Sequence, residues 1–270
     1  MTFSFLALAP PLTIAPPLAG LSGNALLAFQ LVSTATSYSS EAAGTPAPYS
    51  KFASNTAKKL PFPVPSRLGM LVIYVPALIA SSYHLSSSSP TATFTSLLST
   101  IHFGKRTLET LFLHKYSGTA PLPIAASIGT YYGLIAHLVC KAAEAAGGGA
   151  GEGSTLRLAG TAVFAVGTAG NLYHHYLLRR LRTAPGALKT KYVPPTGGLF
   201  NSAAAPHYFF ELLAWLGIAL VTNQMNAYLV LTSMSSYLAG RAVSQNKWNR
   251  EKFGEEGWPS SRKNMIPGIW

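Results

Sequence analysis

Residues 93–114 read TFTSLLSTIHFGKRTLETLFLH. The run is long enough for a membrane helix, which needs roughly 20 mostly apolar residues. Yet it carries His102, Lys105, Arg106 and Glu109. These residues recur at helical spacing, so on a helix all four share one face. Charges at membrane depth are expensive, face a bundle interior and mark function by default. The plain alternative is a self-satisfied cluster, with Glu109 neutralising Lys105 or Arg106 to fix packing. Two cations against one acid leave a positive excess on that face, which suits an anionic ligand.

The rest of the chain supplies the same kind of background. Of 270 residues, 49% are hydrophobic and only 10% charged, against roughly 25% charged in an ordinary soluble domain. This composition predicts an integral membrane protein. All eight acids are Glu. Without Asp there is no aspartyl dyad, Walker-B acid or EF-hand loop. The single cysteine, Cys140, excludes a disulfide framework and a Cys-based zinc site. No G-x-G-x-x-G pattern occurs, which argues against a Rossmann-type fold.

Seven apolar segments follow: 8–33, 68–85, 93–114, 121–146, 156–179, 205–222 and 224–243. They predict an all-α fold, a polytopic membrane bundle of about seven transmembrane helices. The first segment has no basic leader and is broken by Pro10-Pro11 and Pro16-Pro17. It reads as a late-starting first span rather than a signal peptide. Segments 34–65 and 147–153 read as loops. Sixteen of the 20 Lys and Arg fall on one side of such a bundle, including Lys58, Lys59, Arg180 and Lys247. Only Lys141 and Arg157 fall on the other. This positive-inside pattern predicts a cytosolic C-terminus. The net charge of +12 is thereby read as topology, and no nucleic-acid partner is expected. No internal repeat is visible, which weakens a transporter reading.

Three further sets of residues can carry chemistry. Asn171, His175, Arg179 and Arg182 form one helical stripe running from membrane depth to the cytosolic face. Its alternative is headgroup snorkelling by the arginines. Adjacent His174 and His175 point about 100° apart on a helix and have no acid or thiol nearby in sequence, so no metal site is expected. After a turn around Tyr192, Pro195 and Gly197, the residues His207, Glu211 and Trp215 recur every fourth position. The C-terminal tail mixes Arg241, Trp248, Asn249, Trp258 and Arg262, with a lipid-facing amphipathic tail as its bland reading.

The stretch from His102 to Ser117 resembles the signature span of very-long-chain enoyl-CoA reductases. Gly170-Asn-Leu with Leu178-Arg-Arg-Leu-Arg182 resembles the next block of the steroid 5-alpha-reductase superfamily. So do Tyr192 to Phe200, Pro206 to Glu211 with Trp215, and the ending around Trp248, Phe253 and Trp258. Order and spacing agree from about residue 46. The resemblance divides the chain into residues 1–45, a first transmembrane segment and loop, and residues 46–270, a catalytic membrane domain. It implies a multi-pass enzyme of the endoplasmic reticulum membrane. Such an enzyme uses NADPH to reduce a double bond conjugated to a carbonyl. Its partners are the lipid bilayer and a lipophilic enone or enoyl thioester. Carried over by position, Tyr49, Lys51, Arg106, Asn171, His175, Arg179, Arg182, Tyr192, His207, Glu211, Trp215, Arg241, Asn249 and Arg262 border the cofactor. His102, Lys105 and Glu109 fall with catalysis.

The departures shape the expected chemistry. Phe103 stands where the family usually carries Tyr, and Asn249 stands at another family Tyr. Tyr74 stands where the steroid branch carries Glu. Tyr74 is therefore the expected donor to the substrate carbonyl, with the His102/Lys105/Arg106/Glu109 face tuning it. A packing tyrosine is the alternative. The competing functions are an enoyl-CoA reductase of fatty-acid elongation and an isomerase-like or non-catalytic lipid-binding membrane protein.

Overall fold

The structure is a computed structural model that describes residues 14–43, 62–145, 154–183 and 192–270. Tyr49, Lys51 and the glycine-rich segment 147–153 lie outside the described residues. Seven helices make up nearly all of what is described: α1 (Gly20–Ala42), α2 (Ser66–Tyr83), α3 (Pro90–Leu108), α4 (Leu122–Ala145), α5 (Thr155–Thr183), α6 (Pro206–Thr222) and α7 (Met225–Gly257). The fold is all-α, as expected. One short antiparallel pair, β1 (Pro63–Pro65) with β2 (Thr119–Pro121), ties the start of α2 to the start of α4.

Two boundaries differ from the apolar pattern. α1 begins at Gly20 and runs through Ala42, so residues 34–42 are helix and not loop. The reason is tertiary: the polar residues of this stretch pair with α7. Just before it, Asn226 Nδ2 donates to Gln30 Oε1 at 2.9 Å, and Gln30 Nε2 donates to the Asn226 backbone carbonyl at 3.0 Å. The Thr34 and Ser233 hydroxyls meet at 2.8 Å, and Ser236 donates to the Thr34 carbonyl. At its end, Glu41 receives Arg241 at 3.3 Å. α7 likewise continues past residue 243 to Gly257, with a non-helical Gly254 near its end.

Among the described residues, α2 (with the turn to Ser86) and α4 are each long and apolar enough to cross a membrane, by length and composition. α6 is apolar over 17 residues. The remaining helices carry the hydroxyls, amides and charges that build the α1–α7 seam and the buried centre.

The helices pair off as α5 on α6, α2 on α4 and α1 on α7. α5 and α6 approach closely because their contact is made of glycine. A methyl group added at Gly217 would sit 2.6 Å from the Gly160 carbonyl oxygen, closer than any real contact. Small residues at such crossings let backbones touch. α2 and α4 use a different device. Pro76 lies inside α2 and, lacking an N–H, leaves the Val72 carbonyl without its helical partner. Gly129 of α4 packs directly on that carbonyl, leaving no space for a side chain. The main core lies between these pairs and includes Ile73, Tyr74, Leu98, Phe103, Phe164 and Trp215.

Candidate active site

α3 begins with Ser89 capping the Ala92 N–H and with Pro90 in its first turn, a helix start that costs no hydrogen bond. It delivers His102 and Phe103 fully buried. At Glu109 the helix widens into one π-turn, Glu109–Leu113, closed by the His114 N–H on the Glu109 carbonyl at 2.8 Å. Such a turn inserts one residue, and π-turns are frequent at functional sites. The inserted residue brings His114 to the His175 ring, with centroids 4.9 Å apart.

Glu109 is the hub. Its Oε1 lies 3.2 Å from Lys105 Nζ and its Oε2 lies 2.9 Å from Arg106 Nη1. His175 Nδ1, from α5, lies 3.1 Å from both oxygens. Arg106 Nη1 lies equally close to the same nitrogen, at 3.1 Å, so Glu109, Arg106 and His175 form one cluster. Lys105 also donates to Asn171 Oδ1. The Asn171 amide in turn donates to the His207 carbonyl at 2.8 Å, which ties α5 to the start of α6. Arg106 reaches the other way. Its Nη2 donates to the Tyr74 hydroxyl, and its guanidinium carbon stands 4.7 Å above the Tyr74 ring.

A second acid completes the cluster. Glu211 of α6 sits 3.2 Å from His102 Nε2. This corrects the expected positive excess: two carboxylates, not one, face the two cations. Helical spacing within α3 could not show it, because Glu211 is 102 residues away in sequence from Glu109. Trp215, one turn further along α6, packs on His102 and Phe103 at 5.3 and 6.0 Å. Tyr74 is also buried and stacks on Tyr132 of α4 at 6.1 Å.

The expected residues thus fall into three groups. Tyr74, His102, Lys105, Arg106, Glu109, Asn171, His175, His207, Glu211 and Trp215 converge. Arg179 and Arg182 continue the α5 stripe outward, and Arg182 donates to the Lys115 carbonyl. The tail residues form a separate aromatic rim. Tyr192 meets Trp248 at 5.0 Å, and Arg262 lies 4.2 Å above Trp258 while donating to the Pro195 carbonyl. Partial burial pulls the Arg262 pKa below the ordinary guanidinium value. Asn249 is buried on α7, and Arg241 is engaged by Glu41 on the α1–α7 seam.

His174 has a structural task. Its Nδ1 donates to the Gly170 carbonyl at 2.7 Å and its Nε2 accepts the Leu199 N–H at 3.2 Å. Both ring nitrogens therefore fix the turn at residues 197–201 to α5. Glu109, His114 and His175 bring potential metal-ligating atoms within 4.8 Å of one another. Lys105 and Arg106 already hold that carboxylate, so a cation there would face two like charges.

Sequence reasoning missed Glu41, His114 and Tyr132. Glu41 lay in a stretch read as loop. His114 joins the face only through the π-turn. Tyr132 is one of 13 tyrosines, and nothing in its neighbours distinguishes it.

Several buried polar atoms find no protein partner among the described residues: His207 Nδ1, Trp215 Nε1, His102 Nδ1 and Arg179 Nε. Buried polar groups are normally satisfied. Imidazole, indole and guanidinium atoms of this kind fit a ligand with phosphates and hydrogen-bonding edges.

Fold and centre together define an all-helical bundle with a closed ion-pair network inside an apolar core. The comparisons agree with the sequence resemblance. Residues 149–270 match the family model for 3-oxo-5-alpha-steroid 4-dehydrogenase. A rat 3-oxo-5-alpha-steroid 4-dehydrogenase 1 is 39% identical over 112 residues, 42% of this chain and 41% of that protein. The chain thus aligns with about two fifths of that relative's length. The Macaca fascicularis counterpart is 28% identical over 224 residues, 77% of this chain and 80% of that protein. A very-long-chain enoyl-CoA reductase of Dictyostelium discoideum is 28% identical over 173 residues, 62% of this chain and 54% of that protein. The chain is thus similar over its C-terminal part to 3-oxo-5-alpha-steroid 4-dehydrogenases, and more distantly to very-long-chain enoyl-CoA reductases.

Proposed function

We propose that the protein is a membrane-embedded reductase that uses NADPH to saturate a carbon–carbon double bond conjugated to a carbonyl in a lipophilic substrate. The observation that carries this reading is Tyr74, buried in the apolar core and bound by Arg106 of the ion-pair network. When bound, NADPH supplies the hydride. Asn171, His175, His207, Glu211 and Trp215 would hold it, with Arg179, Arg182 and Arg262 toward the basic rim. Tyr49, Lys51, Tyr192, Arg241 and Asn249 belong to the same proposal on resemblance alone.

Negative charge develops on the carbonyl oxygen during such a reduction. Tyr74 donates its hydroxyl proton to that oxygen. The Arg106 guanidinium, bonded to the phenolic oxygen, stands beside the charge that this transfer leaves. Glu109 and His175 keep Arg106 in place, and Glu211 fixes His102 beside Trp215. Phe103, fully buried against His102 and Trp215, excludes water without donating a proton. The chain spans the endoplasmic reticulum membrane several times, with its C-terminus and basic rim in the cytosol.

An enoyl thioester is the second reading of the substrate. The signature on α3 and the Dictyostelium relative favour it. NADPH oxidation in purified membranes, with an enone sterol and separately with an enoyl-CoA, separates the two. Tyr74→Phe is expected to lower turnover by about 100-fold or more while NADPH binding is retained. Unchanged turnover removes Tyr74 from the chemistry. Lack of NADPH binding by the wild type overturns the reductase reading itself.

A further inference from the structure

The end of α2 carries a second set of ionisable side chains, unused by the reductase reading. His84 follows α2 directly and is 2% exposed. It lies ten residues beyond Tyr74, about 15 Å of helical rise away. His84 Nδ1 is 3.2 Å from Glu144 Oε1, and His84 Nε2 is 3.0 Å from His137 Nδ1. Both partners sit on α4. The other oxygen of Glu144 is taken by Lys141 Nζ at 2.6 Å.

The geometry points to a binding site for a divalent transition cation such as Zn²⁺, with His84 Nε2 and His137 Nδ1 as protein ligands. Glu144 fixes the tautomer. Because a carboxylate only accepts, His84 Nδ1 carries the proton and the neutral ring presents its Nε2 lone pair to His137. Carboxylate, imidazole and metal in a row is the usual outer-shell arrangement of histidine metal sites. Adjacent nitrogens each about 2.0–2.1 Å from a tetrahedral zinc ion stand about 3.3–3.4 Å apart, so the two rings part by only a few tenths of an ångström from their 3.0 Å hydrogen bond. On binding, the proton on His137 Nδ1 moves to its Nε2 and water fills the remaining positions. His137 is only half-buried, which gives the ion a path from outside. Two imidazoles select zinc, copper or nickel over magnesium and calcium. One cation, Lys141, pairs with Glu144 here, where two crowd Glu109.

The test is zinc titration of the full chain in detergent micelles, followed by calorimetry, with magnesium as control and cobalt absorption as a spectroscopic readout. One zinc per chain is expected, and no magnesium. His137→Gln should weaken zinc binding at least tenfold, and Glu144→Gln by about 10- to 100-fold. His114→Gln should leave it unchanged. His137 is half-exposed, so its variant keeps the test open even where His84→Gln fails to fold. No zinc binding by the wild type, full binding by His137→Gln, or loss of binding in His114→Gln overturns the site.

Discussion

The centre around Glu109 and the seam between α1 and α7 both bury polar groups in an apolar bundle, by opposite means. The centre concentrates charge: one carboxylate takes a lysine, an arginine and an imidazole. The seam spreads neutral pairs along two helices, Gln30 with Asn226 and Thr34 with Ser233, and ends on a single ion pair. A neutral amide pair, once broken, loses about a hydrogen bond and one desolvation penalty. A buried charge left without its counterion costs far more. The seam is therefore suited to hold helices together. The centre is suited to hold groups whose charge state matters.

That contrast can be broken experimentally. Glu109→Gln leaves Lys105 and Arg106 without their shared carboxylate. It should destabilise the protein by about 3–5 kcal/mol and abolish turnover, read by thermal unfolding in detergent. A variant as stable as wild type would mean that Glu211 alone balances both cations. Asn226→Ala, in the seam, should cost about 1–3 kcal/mol and leave the kcat of the remaining folded protein unchanged. A selective loss of kcat would make the seam part of the site. Trp215→Phe removes the indole N–H together with one ring of a buried side chain. It should weaken NADPH binding at least about three- to tenfold, the worth of one hydrogen bond of roughly 0.5–1.5 kcal/mol, with a modest loss of stability from the space left behind. Smallest is Glu255 on the tail. It accepts the Ser260 N–H at 2.8 Å, and this bond holds its carboxyl below the usual carboxylate range. The bond is thus present above the ordinary Glu pKa and is lost as pH falls through the lowered value. Amide exchange at Ser260 should stay slow at pH 5 and rise only in stronger acid; rapid exchange at neutral pH would contradict this.

Much of the centre was legible because charge is conspicuous in apolar sequence. His102, Lys105, Arg106 and Glu109 announce one face by spacing alone, and the Asn171–His175 stripe does the same on α5. Glu211 was visible as a buried acid, but its partner was not. The pairing with His102 depends on how α6 lies across α3, and this follows from packing rather than spacing. His114 was hidden by the π-turn, which shifts the helical register by one residue. The seam was nearly illegible. Ser, Thr, Asn and Gln are ordinary in loops, so residues 34–42 read as a connector until α7 was seen to complete their hydrogen bonds.

The sequence by itself determined that the chain is helical, apolar and poor in charge, and which charges sit where water is scarce. Those properties are local: hydropathy and periodicity depend only on near neighbours. The tertiary structure alone decided that Glu211 pairs with His102, that Tyr74 of α2 meets Arg106, and that α1 is zipped to α7. Each of these depends on contacts between helices far apart in the chain. The crossings that make them possible are set by small features such as Gly217 on Gly160 and Gly129 on Val72.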